Sequence, residues 1–182
     1  REYPVDATLG LHLIQHLIGA EFDVSHSRRF ARNHGEGHAF GFVHRRLMGD
    51  AVVPIVPVAL NTYFPPNQPR PGRCWRLGQE IRGAVESFPA KARVGVLASG
   101  GLSHFTVDED FDRAFIAAMQ ARDGTWLSAI PVEKLNSGNS EMRNWIATAA
   151  AAEKLALSWH RYVPVYRSLA GTGCGMGFAI WS

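Results

Sequence analysis

Cysteine is scarce in this sequence. Only Cys74 and Cys174 occur among 182 residues, far apart. They form neither a metal-spaced pair nor a disulfide framework, and they fit a reducing compartment, so a cytoplasmic protein is expected. Long hydrophobic runs are missing too. No stretch approaches the ~20 apolar residues of a membrane-spanning helix, and no signal-peptide pattern opens the sequence. No membrane association is expected. Charge is sparse, at 19% of residues with a net +3. The arginines at Arg28, Arg29, Arg32, Arg45 and Arg46 make no dense stripe with interleaved aromatics, so no nucleic-acid partner is expected. A mild positive field would instead favour small anionic substrates. Repeats and interdomain linkers are also absent.

What remains is a globular composition, with 46% hydrophobic residues, in a length that suits one domain. Asp6 is placed to cap a helix whose apolar face uses Leu9, Leu13 and Leu17, ending near Gly19. His12 and His16 lie on it at i and i+4. That spacing can hold a metal, but apolar neighbours make packing the preferred reading. A short strand is expected at 21–24. Another at 51–60 carries Pro54 and Pro57, which remove ladder donors and imply an edge or irregular pairing. A proline-dense surface loop follows from Asn61 to Arg73, then a helix from Leu77 to Phe88. Val94 to Ala98 reads as a buried strand ended by Gly100 and Gly101. Asp108 starts a helix with Phe111, Phe115 and Met119 at helical spacing. A long helix is expected at 140–159 and a last strand at 177–181. Alternating elements of this kind predict a single α/β domain over 1–182.

Three segments combine polar chemistry with glycine-permitted backbone. In SGGLSH, His104 follows a strand end, where open α/β sheets place ligand crevices, although it would serve equally to cap a turn. In RNHGEGHAFGF, His34 and His38 lie in a glycine-rich loop. In SGNSEMRNWI, Glu141 stands at the first turn of a helix, where the dipole favours a carboxylate. Ser103 beside His104 invites a serine-hydrolase reading. The G-x-S-x-G elbow is absent, however, and adjacent side chains tend to point apart. The closing GTGCGMG precedes no helix that would receive a phosphate. Its glycines allow close approach of a ligand or strand, and Thr172 offers a hydroxyl to a substrate carboxylate.

Six ordered motifs carry a resemblance across almost the whole chain: NHG at 33–35, VPVALN at 56–61, RCWRLGQEIR at 73–82, SGGLSH, SGNSEMRNWI, and GTGCGM at 171–176. Together they resemble the class III extradiol ring-cleaving dioxygenases, above all the catalytic subunit of the protocatechuate and gallate type. The resemblance implies a layered α/β sandwich, with a central mixed sheet flanked by helices. It also implies Fe(II) held by two histidines and a carboxylate, with open positions for a catecholic substrate and dioxygen. Transferred by motif, Glu141 is the carboxylate ligand and His104 the acid–base group. His34 is a second catalytic histidine near the substrate hydroxyls or the bound oxygen, and Ser103 and Thr172 are substrate-binding residues.

The family's two histidine ligands lie in a segment preceding everything in this sequence. The expectation is therefore a catalytic domain lacking its N-terminal segment, inactive by itself. The expected partners are a catechol and dioxygen, with a homo-oligomer or a small accessory subunit. A non-catalytic binding or scaffold homologue is the alternative. A metal-dependent hydrolase would need histidine ligands that are not identifiable.

Overall fold

The computed structural model describes residues 3–28 and 35–182. The chain forms two compact units, one from Arg1–Ala59 with Gly83–Val94 and the other from Leu60–Arg82 with Gly95–Ser182.

In the first unit, helix α1 (Ala7–Gly19) begins where its sequence says it should, with Asp6 Oδ1 accepting the Leu9 N–H at 2.9 Å. The side-chain oxygen satisfies one of the amides that the first turn leaves without an intrahelical partner. Leu13 and Leu17 are buried. His12 Nε2 meets the Ala84 carbonyl at 2.9 Å, and the His12 ring tilts against Phe88. The His16 ring lies so close to Gly83 that a Cβ there would sit 3.1 Å from its Nε2. Both histidines therefore pack, as their surroundings suggested. A short helix α2 (His38–Phe42) runs into a π-helical stretch, Val43–Met48, which buries His44 against Glu36 and the stacked ring of Tyr3.

Neither strand expected in this unit forms. Residues 22–24 are irregular, and the 51–60 segment makes only an isolated parallel bridge between Val5 and Ile55. The prolines at 54 and 57 lack the N–H groups that a longer ladder would need.

The second unit holds a larger core, with Leu102, Phe115, Leu127, Leu135, Met142 and Ile146 fully or almost fully buried. Helix α3 (Pro71–Glu86) starts inside the proline-rich stretch, because proline is tolerated in a first helical turn. Its final residues belong to the first unit. Strand β1 (His104–Thr106) is followed by α4 (Glu109–Ala121), which is capped by the Asp108 carboxylate and buries Phe115, Ile116 and Met119 as its periodicity predicts. Then come α5 (Gly124–Ser128), 3-10 turns at Val132–Leu135 and Ser137–Glu141, and α6 (Met142–Ala151). Strands β2 (Leu157–Tyr166) and β3 (Thr172–Trp181) complete an antiparallel sheet of order β1-β3-β2.

The fold class is mixed α/β, as expected, with a small three-stranded antiparallel sheet. Several boundaries differ from the expected ones: α3 begins at Pro71 instead of Leu77 and β3 at Thr172 instead of Gly177. The predicted long helix stops at Ala151, since Leu157–Tyr166 pairs with β3 over almost its full length. Val94 to Ala98 is irregular and no ladder partner for it lies among the described residues, which leaves Leu97 59% exposed instead of buried.

Candidate active site

Side chains from α6 and from the turn preceding it saturate the backbone of the SGGLSH loop. Asn144 Nδ2 donates to the Ser99 carbonyl at 2.9 Å, and Trp145 Nε1 donates to the Gly100 carbonyl at 2.9 Å. Glu141 Oε2 accepts the Gly101 N–H at 3.0 Å. Three consecutive loop residues are thus held by three side chains spaced to fall on one end of a helix. Gly101 has no room for a side chain. A Cβ there would lie 2.5 Å from His104 Cε1 and 3.1 Å from Cys174 Sγ.

His104 is gripped at both ends. Its backbone N–H donates to Asn139 Oδ1 at 2.8 Å, and its ring Nδ1 lies 2.9 Å from the Leu102 carbonyl. A carbonyl only accepts, so the neutral ring carries its proton on Nδ1 and keeps the Nε2 lone pair free. That nitrogen lies 3.9 Å from Glu141 Oε2, with both side chains partly exposed. The next residue, Phe105, is held at φ +68 although 62% exposed. This is an uncommon conformation for a bulky residue and marks a sharply bent backbone immediately after His104.

Beneath the loop lies a buried polar network. Asp112 on α4 accepts the Ser103 hydroxyl at 2.6 Å, the Ser103 N–H at 2.9 Å and the Tyr162 hydroxyl at 2.8 Å. Ser103 Oγ in turn accepts the Asp108 N–H at 3.0 Å. Burial pushes the Asp112 carboxyl above its ordinary range, against the lowering effect of the Ser103 and Tyr162 hydrogen bonds. Burial, and after it the same carboxylate, hold the Tyr162 phenol well above the usual tyrosine range. Gly175 on β3 lets the strand pass over this carboxylate, since a Cβ there would meet Asp112 Oδ2 at 2.0 Å.

The structure brings together two of the predicted site residues, His104 and Glu141. Ser103 precedes His104 in sequence but is fully buried, with its hydroxyl committed to Asp112. Thr172 is exposed at the β2–β3 turn, pairs opposite Thr106, and shares a 2.6 Å contact with Ser168 Oγ. His34 lies outside the described residues. Among the described residues no group of three His, Cys, Asp or Glu side chains is arranged to hold a metal ion.

Reasoning from sequence missed Asp112, Tyr162, Asn139 and Cys174. Cys174 stands opposite His104 in the β1–β3 register, and its thiol is raised first by burial, then by the Asp112 and Glu141 charges. Asn139 was legible only as part of the SGNSE string. Asp112 reads in sequence as one of several acidic residues in a helix first turn.

The structure thus sets the Nε2 of a histidine toward a carboxylate on a small α/β scaffold. The family described as the catalytic LigB subunit of aromatic ring-opening dioxygenase matches residues 1–176, and the chain belongs to it. It is 37% identical over 100 residues to a gallate dioxygenase of Pseudomonas putida, an alignment covering 54% of this chain and 28% of that protein. It is 33% identical over 102 residues to a 2,3-dihydroxyphenylpropionate/2,3-dihydroxicinnamic acid 1,2-dioxygenase of Comamonas testosteroni, covering 55% and 30%. A protein of the same name from Cupriavidus necator is 34% identical over 107 residues, covering 56% and 30%. The chain thus spans less than a third of the length of these relatives.

Proposed function

We propose that this chain carries the acid–base group and one metal ligand of an oxygen-dependent extradiol dioxygenase that opens the ring of a catecholic aromatic acid. The observation that carries the reading is the free Nε2 of His104 held 3.9 Å from Glu141. The family match and the names of the relatives support it. Non-haem Fe(II) is the proposed cofactor, with Glu141 as its carboxylate ligand. When bound, such an ion supplies Lewis acidity toward the two adjacent oxygens of a catechol and a place for dioxygen.

The protein's own contribution is a proton. With Nδ1–H fixed on the Leu102 carbonyl, His104 Nε2 takes the proton of a substrate hydroxyl. The resulting imidazolium lies beside the Glu141 carboxylate. The same nitrogen returns the proton later in the reaction, so one residue acts as base and then as acid. His34 is proposed as a second catalytic histidine by its motif. Thr172 remains a proposed substrate contact through its exposed hydroxyl. Ser103 acts on this proposal from below, by holding the loop that presents His104.

Among the described residues no helix is long and apolar enough to cross a membrane. A cytoplasmic location is proposed, together with a second subunit, since the family description is that of a catalytic subunit.

The test is oxygen uptake by the Fe(II)-loaded protein extended upstream to include the two histidine ligands that the resemblance implies, prepared anaerobically and offered gallate, protocatechuate and 2,3-dihydroxyphenylpropionate in turn. Uptake with at least one, accompanied by a ring-opened product, is expected. Catechol binding without oxygen consumption would replace the enzyme with a binding protein.

A further inference from the structure

We propose that Asn139 is the positioning residue that sets the separation of His104 from Glu141, a proposal that rests on the ring-cleavage reading above. The 3.9 Å between Nε2 and Oε2 is too long for a hydrogen bond, so the two groups do not hold each other in place. Something else must. Glu141 closes the 3-10 turn Ser137–Glu141, and the same turn carries Asn139. Its amide reaches both ways. Oδ1 accepts the His104 N–H at 2.8 Å, while Nδ2 donates to the Lys134 carbonyl at 3.1 Å.

The donor that Asn139 takes is an unusual one to leave to a side chain. Strand β1 is the edge of the β1-β3-β2 sheet, and its outer side faces this turn instead of another strand. The fit is tight. A Cβ on Gly138 would sit 2.4 Å from His104 Cβ and 2.9 Å from its backbone carbonyl. The turn therefore lies directly on the histidine's own backbone. Besides the Asn139 bond, the polar link between this turn and the histidine loop is the Gly101 N–H on Glu141 itself. That second link is made by the carboxylate proposed to bind metal. Asn139 supplies the link that leaves both reacting side chains free.

Its effect should fall on geometry. Loss of the Oδ1 acceptor frees the His104 backbone, so Nδ1 no longer stays on the Leu102 carbonyl and Nε2 no longer stays aimed at the site. Misplacing a reacting group by about 1 Å costs on the order of 10²-fold. Substrate binding does not run through Asn139, so the loss should appear in kcat and not in KM.

The experiment combines two readouts. In the same upstream-extended, Fe(II)-loaded protein with gallate as probe, Asn139→Ala is expected to lower kcat by about 10- to 100-fold with KM within about threefold. Asn139→Asp keeps the oxygen acceptor for the His104 N–H but sets its second oxygen against the Lys134 carbonyl, so it is expected to recover part of the lost kcat. Separately, nitrogen-15 NMR of the His104 ring, without metal or substrate and with the ring neutral, should show the Nδ1–H tautomer in the wild type. A mixture of tautomers is expected in Asn139→Ala. Should that variant fail to fold, Asn139→Gln, which shifts the same amide by one methylene, is expected to show the same kcat loss and tautomer mixing. Wild-type kcat and an unmixed tautomer in the variant used would overturn the proposal. So would equal impairment of Asn139→Asp and Asn139→Ala. A wild-type protein that consumes no oxygen with any catechol would overturn the ring-cleavage reading alone, and the NMR comparison would still decide the role of Asn139.

Discussion

Nε2 of His104 faces Oε2 of Glu141 at 3.9 Å, while that same oxygen accepts the Gly101 N–H at 3.0 Å. The carboxylate is thereby anchored to the loop that presents the histidine, without a direct bond between the two side chains. The pair is preorganised by backbone contacts, and each member is free to meet a third group.

Separate roles should show as separate losses. In the upstream-extended protein, His104→Phe removes the proposed proton acceptor but leaves Glu141, so iron content should stay at the wild-type level while ring cleavage falls by roughly 10²–10⁴-fold. Glu141→Ala should instead lose iron, read by metal analysis after desalting. Unchanged turnover in the first variant, or tight iron in the second, would remove the corresponding assignment.

Asp112 gives the fold a pH dependence of known sign. Burial is the first cause of its raised pKa, with the Asp108 charge adding to it, and the Ser103 and Tyr162 hydrogen bonds oppose the shift. The folded state thus holds this proton to a higher pH than the unfolded chain does. Stability from this group is fully present below the ordinary value of 3.8 and declines as pH rises through the folded value. In Asp112→Asn that decline disappears. Denaturation of both proteins between pH 4 and 7, a range spanning ordinary and raised carboxyl values, should show the wild type's advantage shrinking as pH rises. A widening advantage would mean that the hydrogen bonds outweigh burial.

The two thiols should differ in access. Cys74 is completely buried, and desolvation pushes its thiol up to about 12, only partly offset by Arg143. Cys174 is half-buried beside His104. An alkylating reagent at mildly alkaline pH should label Cys174 slowly and Cys74 only after unfolding, as read by peptide mass spectrometry. Prompt labelling of Cys74 in the folded protein would contradict the core as described.

Helix α3 crosses α6 with no space at Gly78. A Cβ there would lie 1.9 Å from the Ala147 carbonyl oxygen and 2.7 Å from Ala150 Cβ. Alanine improves intrinsic helix propensity by about 1 kcal/mol, but the clash with backbone should outweigh that gain. Gly78→Ala is expected to be net destabilising, with an overpacking cost of about 1–3 kcal/mol, measured by chemical denaturation. A stabilised variant would show that the two helices part easily.

Local signals in the sequence were sufficient for α1 and α4. Asp6 and Asp108 each cap their helix by accepting the N–H three residues on, and the apolar spacing of Phe111, Phe115 and Met119 turns the right face inward. Capping and periodicity act within a few residues, so a linear reading captures them. The end of α6 was not readable in this way. The alanine-rich run continues a helical pattern toward Trp159, but the chain turns at Ala152 because Leu157–Tyr166 gains a ladder with β3. Strand pairing depends on a distant partner, and no window of sequence contains both sides of it.

The same division runs through the site. The sequence by itself determined the family, through six ordered motifs, and the residue types proposed here as an acid–base histidine and a ligand carboxylate. Tertiary structure alone decided their relation. It placed His104 Nε2 near Glu141, committed Ser103 to the buried Asp112, put Cys174 opposite His104 and laid the Asn139 amide on the histidine backbone. Motifs specify chemical groups, whereas hydrogen-bond partners, tautomer and burial arise only when segments far apart in the chain are packed together.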